Sequence, residues 1–167
     1  MANALKPISR EAIPAAIEKV HRYRNLNEPV DAESICLDIL RTDPTNQTAL
    51  ALLLLSRTDQ IENAMHAATD ARELLSRFAS DYDKAYYEGI IWERSAKALI
   101  KHQRPGSSYT AYEQLQQAMQ HFERAEQLRP HDNDEALLRF NACVRLLERH
   151  SDLQPRPAEL YEAVTSE

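Results

Sequence analysis

The chain has 167 residues, 43% hydrophobic and 28% charged, the balance of one folded domain rather than a disordered segment. Its formal net charge of -6 disfavours general nucleic-acid binding. With only two glycines, Gly89 and Gly106, it is poorly equipped for β-hairpins, barrels or Gly-rich phosphate loops, so an all-α fold is expected. Residues 1 to about 10 read as a loose N-terminal arm without the basic and apolar regions of a secretory signal. A first helix is predicted from about Glu11 to Leu26, burying Ile17, Val20 and Tyr23. After the turn Asn27-Glu28-Pro29, a second runs from about Val30 to Arg41 and is broken by Asp43-Pro44-Thr45-Asn46. A third starts near Gln47 and is apolar nearly all round through Leu50, Leu52, Leu53, Leu54 and Leu55, as suits a helix with neighbours on several sides.

Between Arg57 and Asn63 the pattern loosens without glycine or proline, and a turn is placed there. A fourth helix carries Met65, Ala68, Ala71, Leu74, Leu75 and Phe78, and Ser80-Asp81-Tyr82-Asp83 marks the next boundary. The fifth, about Asp83 to His102, aligns Ala85, Gly89, Trp92, Ala96 and Leu99 on one stripe. Gln103 to Ser108 is the clearest loop. The sixth helix spans about Tyr109 to Leu128 before Pro130, and the seventh begins after Asp132-Asn133, burying Leu137, Phe140, Val144 and Leu147. A tail with Pro155 and Pro157 closes the chain, with room for one short helix through Leu160 and Tyr161.

One helix ending is written twice. Ala32, Cys36, Ile39, Leu40 and Pro44 share their spacing with Ala118, Phe122, Ala125, Glu126 and Pro130, and each copy is followed by a helix-starting polar residue, Asn46 or Asp132. A small residue, a bulky one four later and a small or aliphatic one three later form one stripe, after which proline stops the helix. These residues resemble tetratricopeptide repeats, units of about 34 residues made of two antiparallel helices. Tyr86-Tyr87-x-Gly89-x2-Trp92 is similar to that family's first helix, where glycine lets the two helices approach closely. The two prolines lie 86 positions apart, whereas two regular units span about 68, so about 18 residues are inserted, near Arg57 to Asn63 and Gln103 to Ser108. The resemblance implies an α-α superhelix of stacked hairpins with about seven helices: about three repeats and a closing helix over residues 11–150, between an arm at 1–10 and a tail at 151–167. Another α-hairpin stack is the structural alternative.

Such stacks curve, and in that family the concave side holds a peptide or helix of another protein. By register the lining comprises Ile17, His21 and Arg24, then Ala51, Leu55 and Thr58. Tyr86, Ile90, Glu93 and Lys97 come next, and the closing helix adds Leu138, Asn141 and Arg145. Tyr86 is expected to face the groove and Trp92 to join the core. Asn141 is a poor helix-interior residue, suited either to a bound peptide backbone or to a local hydrogen bond. Arg139, Arg145 and Arg149 alternate with Glu135 and Glu148, which favours a solvated charged surface over an anion reader. The carboxylate clamp of some family members is not expected, because Ile17, Ala51, Tyr86 and Leu137 hold the corresponding places.

Catalysis is not expected. The six histidines show no H-x3-H or Cys/His spacing, no G-x-S-x-G motif occurs, and neither metal nor cofactor is implied. Cys36 and Cys143 sit on apolar stripes without C-x-x-C spacing and read as buried, reduced thiols in a cytoplasmic protein. The longest apolar run, Ala49 to Leu55, is too short to cross a bilayer. The expected role is therefore that of an adaptor binding another protein, with no nucleic acid or membrane as partner. The alternative is a structural subunit, a homodimer or fixed part of an assembly, whose groove is filled by its own tail (Leu153 to Val164) or a second copy.

Overall fold

The computed structural model describes residues 4–64 and 66–157. Among them the fold is all-α, with seven helices and no strand: α1 (Ile13–Asn25), α2 (Pro29–Thr42), α3 (Gln47–Thr58), α4 (Ala67–Glu73), α5 (Asp81–His102), α6 (Ser107–Leu128) and α7 (Glu135–Arg149). Two 3-10 turns, Arg10–Ala12 and Leu75–Arg77, precede α1 and follow α4. The helices divide into two compact units, residues 1–80 and 81–167.

In the first unit α1 packs on α2, α2 on α3 and α3 on α4. Proline opens both α1 and α2, where its missing N–H costs nothing. Asn46 caps α3 by accepting the Ala49 N–H at 2.9 Å. Leu50, Leu52, Leu53 and Leu54 are buried, so α3 is the central helix of its unit. Val20, Ala32, Cys36, Ile39 and Ala71 complete the core, whereas Ile17 and Tyr23 are half-buried. The turn after α3 needs neither glycine nor proline because side chains tie it down. Arg24 Nε meets Asp59 Oδ2 at 2.8 Å, Arg57 Nε meets Glu33 Oε1 at 3.0 Å, and Gln60 donates to Glu33 Oε2 at 2.7 Å. The N-terminal arm is held by Thr42, whose hydroxyl donates to the Ile8 carbonyl at 3.2 Å. Helix α4 starts later than predicted, and Met65 lies outside the described residues.

In the second unit α5 and α6, each 22 residues long, form one hairpin across a four-residue link. So short a link forces them antiparallel. Gly106 takes φ 76°, which a side chain would disfavour. Gln103 (φ 43°), Asn27 (φ 59°) and Asp132 (φ 65°) are left-handed without being glycine. Asn27 closes α1, where the Glu28 N–H reaches back to the Tyr23 carbonyl at 2.9 Å.

Helix α7 departs from expectation in two ways. The residue that opens it is Asn133, not Asp132: Asn133 Oδ1 accepts the Glu135 N–H at 3.0 Å, while Asp132 occupies the positive-φ position of the preceding turn. Its buried residues are Ala136 and Cys143, and Leu137, Phe140, Val144 and Leu147 are only half-buried. Small side chains let α7 sit close on α6, which turns the larger ones to its flank. The short helix placed through Leu160 and Tyr161 lies outside the described residues.

Gly89 sits where α5 and α6 touch. A Cβ there would lie 2.6 Å from Phe122 Cε1 and 2.7 Å from Cδ1, and Phe122 is fully buried with no room to retreat. Ala exceeds Gly in helix propensity by about 1 kcal/mol, yet overpacking costs about 1–3 kcal/mol. Gly89→Ala should therefore lower stability in urea unfolding, and adding Phe122→Leu should restore much of the loss.

Candidate interaction site

The polar feature of the second unit begins with a charge that has no access to water. Glu93 lies in the apolar run Ile90-Ile91-Trp92-Glu93 of α5 and is fully buried. A carboxylate in such surroundings must be paired where it stands. One turn on, Lys97 Nζ forms an ion pair with Glu93 Oε1. From α7, Arg139 Nη1 approaches the same oxygen at 3.6 Å. Glu93 Oε2 is buried with no hydrogen-bond partner among the described residues.

Arg139 also interacts electrostatically with the Tyr86 hydroxyl. Burial alone would lower the guanidinium pKa, but Glu93 and Tyr86 outweigh it and hold the group above its ordinary value. Tyr86 stacks on Tyr82 at 5.8 Å between ring centroids, meets Tyr87 edge-on at 5.2 Å and lies 6.0 Å from Phe122. Burial raises the pKa of all three tyrosines, Tyr82 to about 12. The Tyr82 hydroxyl donates to Asn133 Oδ1 at 3.3 Å, so Asn133 serves both the start of α7 and its attachment to α5. Nearby, burial and then the charge of Glu135 raise the pKa of Asp83.

The carboxylate thus disappears beneath its two counter-ions. Lys97 keeps 43% of its side-chain surface exposed and Arg139 35%, so solvent meets two cations held in place by one hidden anion. Lys97 has three N–H donors and Arg139 five, more than Glu93 and Tyr86 consume. The surface can therefore donate hydrogen bonds to a negatively charged or carbonyl group from outside without reordering itself.

The residues expected in a groove do not all come together. Tyr86, Glu93 and Lys97 share this cluster, with Tyr86 and Glu93 buried beneath its surface. Ile90 is fully buried and lines no accessible surface. Leu138 and Arg145 are exposed, roughly a third of a turn round α7 from Arg139, and Asn141 is half-buried. In the first unit His21 is exposed, Leu55 half-buried, and Arg24 engaged with Asp59. That unit also has an open trough of about 370 Å³ lined by Ile8, Ala16, Tyr23 and Ile35, with Lys19 and Asp38 as its charged members. Among the described residues no group of three His, Cys, Asp or Glu is placed to hold a metal ion. None of the described helices is long and apolar enough to cross a membrane.

Sequence spacing groups Arg139 with Arg145 and Arg149, but only the latter two are exposed. The signal that separates them is position. Arg139 lies on the stripe of Ala136 and Cys143, and Glu93 lies within an equally apolar run. Opposite charges on two buried stripes point to each other. Compared with known proteins, the chain matches no family model, no curated protein and no solved structure.

Removing both cations by Lys97→Met/Arg139→Met would strand Glu93, and breaking a buried pair in this way costs about 3–5 kcal/mol. Adding Glu93→Met should recover most of that loss. Urea unfolding of the wild type, double and triple variants measures the non-additivity directly.

Proposed function

We propose that the protein is a non-catalytic interaction module of the tetratricopeptide kind, taking a peptide or helix of another protein on the α5–α7 side of its second unit. The observation that supports this reading most is the fixed pair of half-exposed cations, Lys97 and Arg139, above buried Glu93 and beside Tyr86. Side chains already ordered in the free protein lose little entropy on binding, and that raises affinity. Aromatic rings packed under an arginine are typical anchors of interfaces. The partner expected here presents carboxylates or backbone carbonyls. Cys36 and Cys143, both unpaired and buried, suit a reducing cytoplasmic workplace.

A test is quantitative capture from lysate on the immobilised full chain, wild type against Lys97→Gln, with Lys84→Gln as control. Lys84 is a surface residue paired locally with Asp81 at 3.1 Å. At least one captured protein should fall several-fold with Lys97→Gln and stay constant with Lys84→Gln. Equal capture by all three would remove the reading.

A second reading, a self-associating structural subunit, is favoured by a different feature. Val30 is 65% and Leu37 47% exposed, and seven residues apart they stand on one face of α2. Sedimentation of the full chain at micromolar concentration decides between the two. A monomer is expected under the first reading, and a dimer that dissociates in Val30→Asp/Leu37→Asp would establish the second.

A further inference from the structure

The open trough of the first unit, about 370 Å³ in volume, runs between α1 and α2. On one wall Ala12, Ala16, Lys19 and Tyr23 follow one another at intervals of three or four residues, and so share one face of α1. The other wall is Ile35 and Asp38 of α2. The N-terminal arm stops one end: Ile8 lines the trough and its carbonyl is held by the Thr42 hydroxyl at 3.2 Å. From Ala12 to Tyr23 the trough extends about 16 Å, three turns of α1.

Two charges line this apolar space, and neither is neutralised. Among the described residues Lys19 and Asp38 have no ion-pair partner, whereas Arg24, Glu33, Arg57 and Asp59 of the same unit are all paired. The Tyr23 hydroxyl makes no hydrogen bond to another described residue either. Helices α1 and α2 are joined by three residues and run antiparallel. Asp38 therefore stands nearer the Ile8 end than Lys19 does, and the two charges are ordered along the trough.

Length, shape and charge together select the occupant. A compact metabolite would leave much of three turns empty. A second copy in two-fold contact would set one hollow against another. The ridge of a helix, with apolar side chains every three or four residues, fills such a space. Two unpaired charges of opposite sign add a requirement for one acidic and one basic side chain beside that ridge.

We propose that the trough is a docking groove for an amphipathic helix of a partner protein, whose apolar ridge lies between α1 and α2 and whose acidic and basic side chains pair with Lys19 and Asp38. The apolar anchors supply the affinity, and the charges fix the direction in which the helix lies. The groove belongs to the first unit and does not depend on the cation pair of the second.

The test uses the full chain and two stapled helical peptides of about 15 residues, a length that is only marginally helical without the staple. Both peptides carry leucines at i, i+4, i+7 and i+11. Beside that ridge, one has glutamate a turn ahead of lysine and the other has lysine a turn ahead of glutamate. In fluorescence anisotropy one order should bind several-fold more tightly than the other, and Lys19→Glu/Asp38→Lys should invert the preference. Ala15→Trp, at an exposed position on the trough wall, should abolish binding of both. Urea unfolding checks that each variant keeps its fold. No binding of either peptide, equal binding of both, or a preference unchanged by the charge exchange would overturn the proposal. So would self-association of the full chain that Lys19→Glu alone dissociates, which assigns the trough to a second copy.

Discussion

A carboxylate with no exposed surface has to be answered by positive charge within reach, and in the second unit that demand ties two helices together. Glu93 is placed by the register of α5, but one of its counter-ions, Arg139, comes from α7. The guanidinium is in turn held by Tyr86, whose ring is packed by Tyr82, Tyr87 and Phe122. Moving α7 by one turn, about 5.4 Å, would carry Arg139 out of reach and leave the buried anion to Lys97 alone among its described counter-ions. Apolar contacts between helices tolerate sliding better than this geometry does, so the buried ion pair specifies the register of α7. Its energetic contribution is a separate matter, because desolvation of the carboxylate opposes much of the Coulombic gain.

The close contact of Gly89 and Phe122 works at the same level of organisation. Lacking a Cβ, α5 can approach α6 until the ring edge fills the space over the helix backbone. Phe122 then supports Tyr86 from beneath, and Tyr86 supports Arg139. One missing methyl group is thereby connected through two rings to a half-exposed cation. Packing, aromatic contact and charge form a single chain of dependence in this unit.

Much of this is legible in the sequence, and the exceptions have physical causes. The helices are readable because proline, asparagine and the scarcity of glycine punctuate a regular apolar period, as the Asn46 cap and the Pro29 start show. Gly89 can be identified as a contact point, although Phe122 as its partner cannot. Hydrophobicity alone places Leu137, Phe140, Val144 and Leu147 at the centre of the buried face of α7; they are half-buried, and close approach to α6 puts Ala136 and Cys143 there instead. Tyr86 and Glu93 fall within the right cluster, but periodicity does not distinguish a residue facing solvent from one lying beneath a charged neighbour. Arg139 is hard to place for a related reason: a charge on a buried stripe becomes intelligible only when its counter-charge on another helix is known.

Among the described residues, the three left-handed ones that are not glycine, Asn27, Gln103 and Asp132, all stand at joints between helices. Each holds a backbone shape that costs an ordinary side chain something to adopt and costs glycine almost nothing. A chain that bends its corners with such residues keeps a small reserve of strain at its hinges, while the rods between them are built from favourable helix formers. Unused stability in this protein therefore resides in its corners, where evolution or design could claim it without disturbing a single core contact.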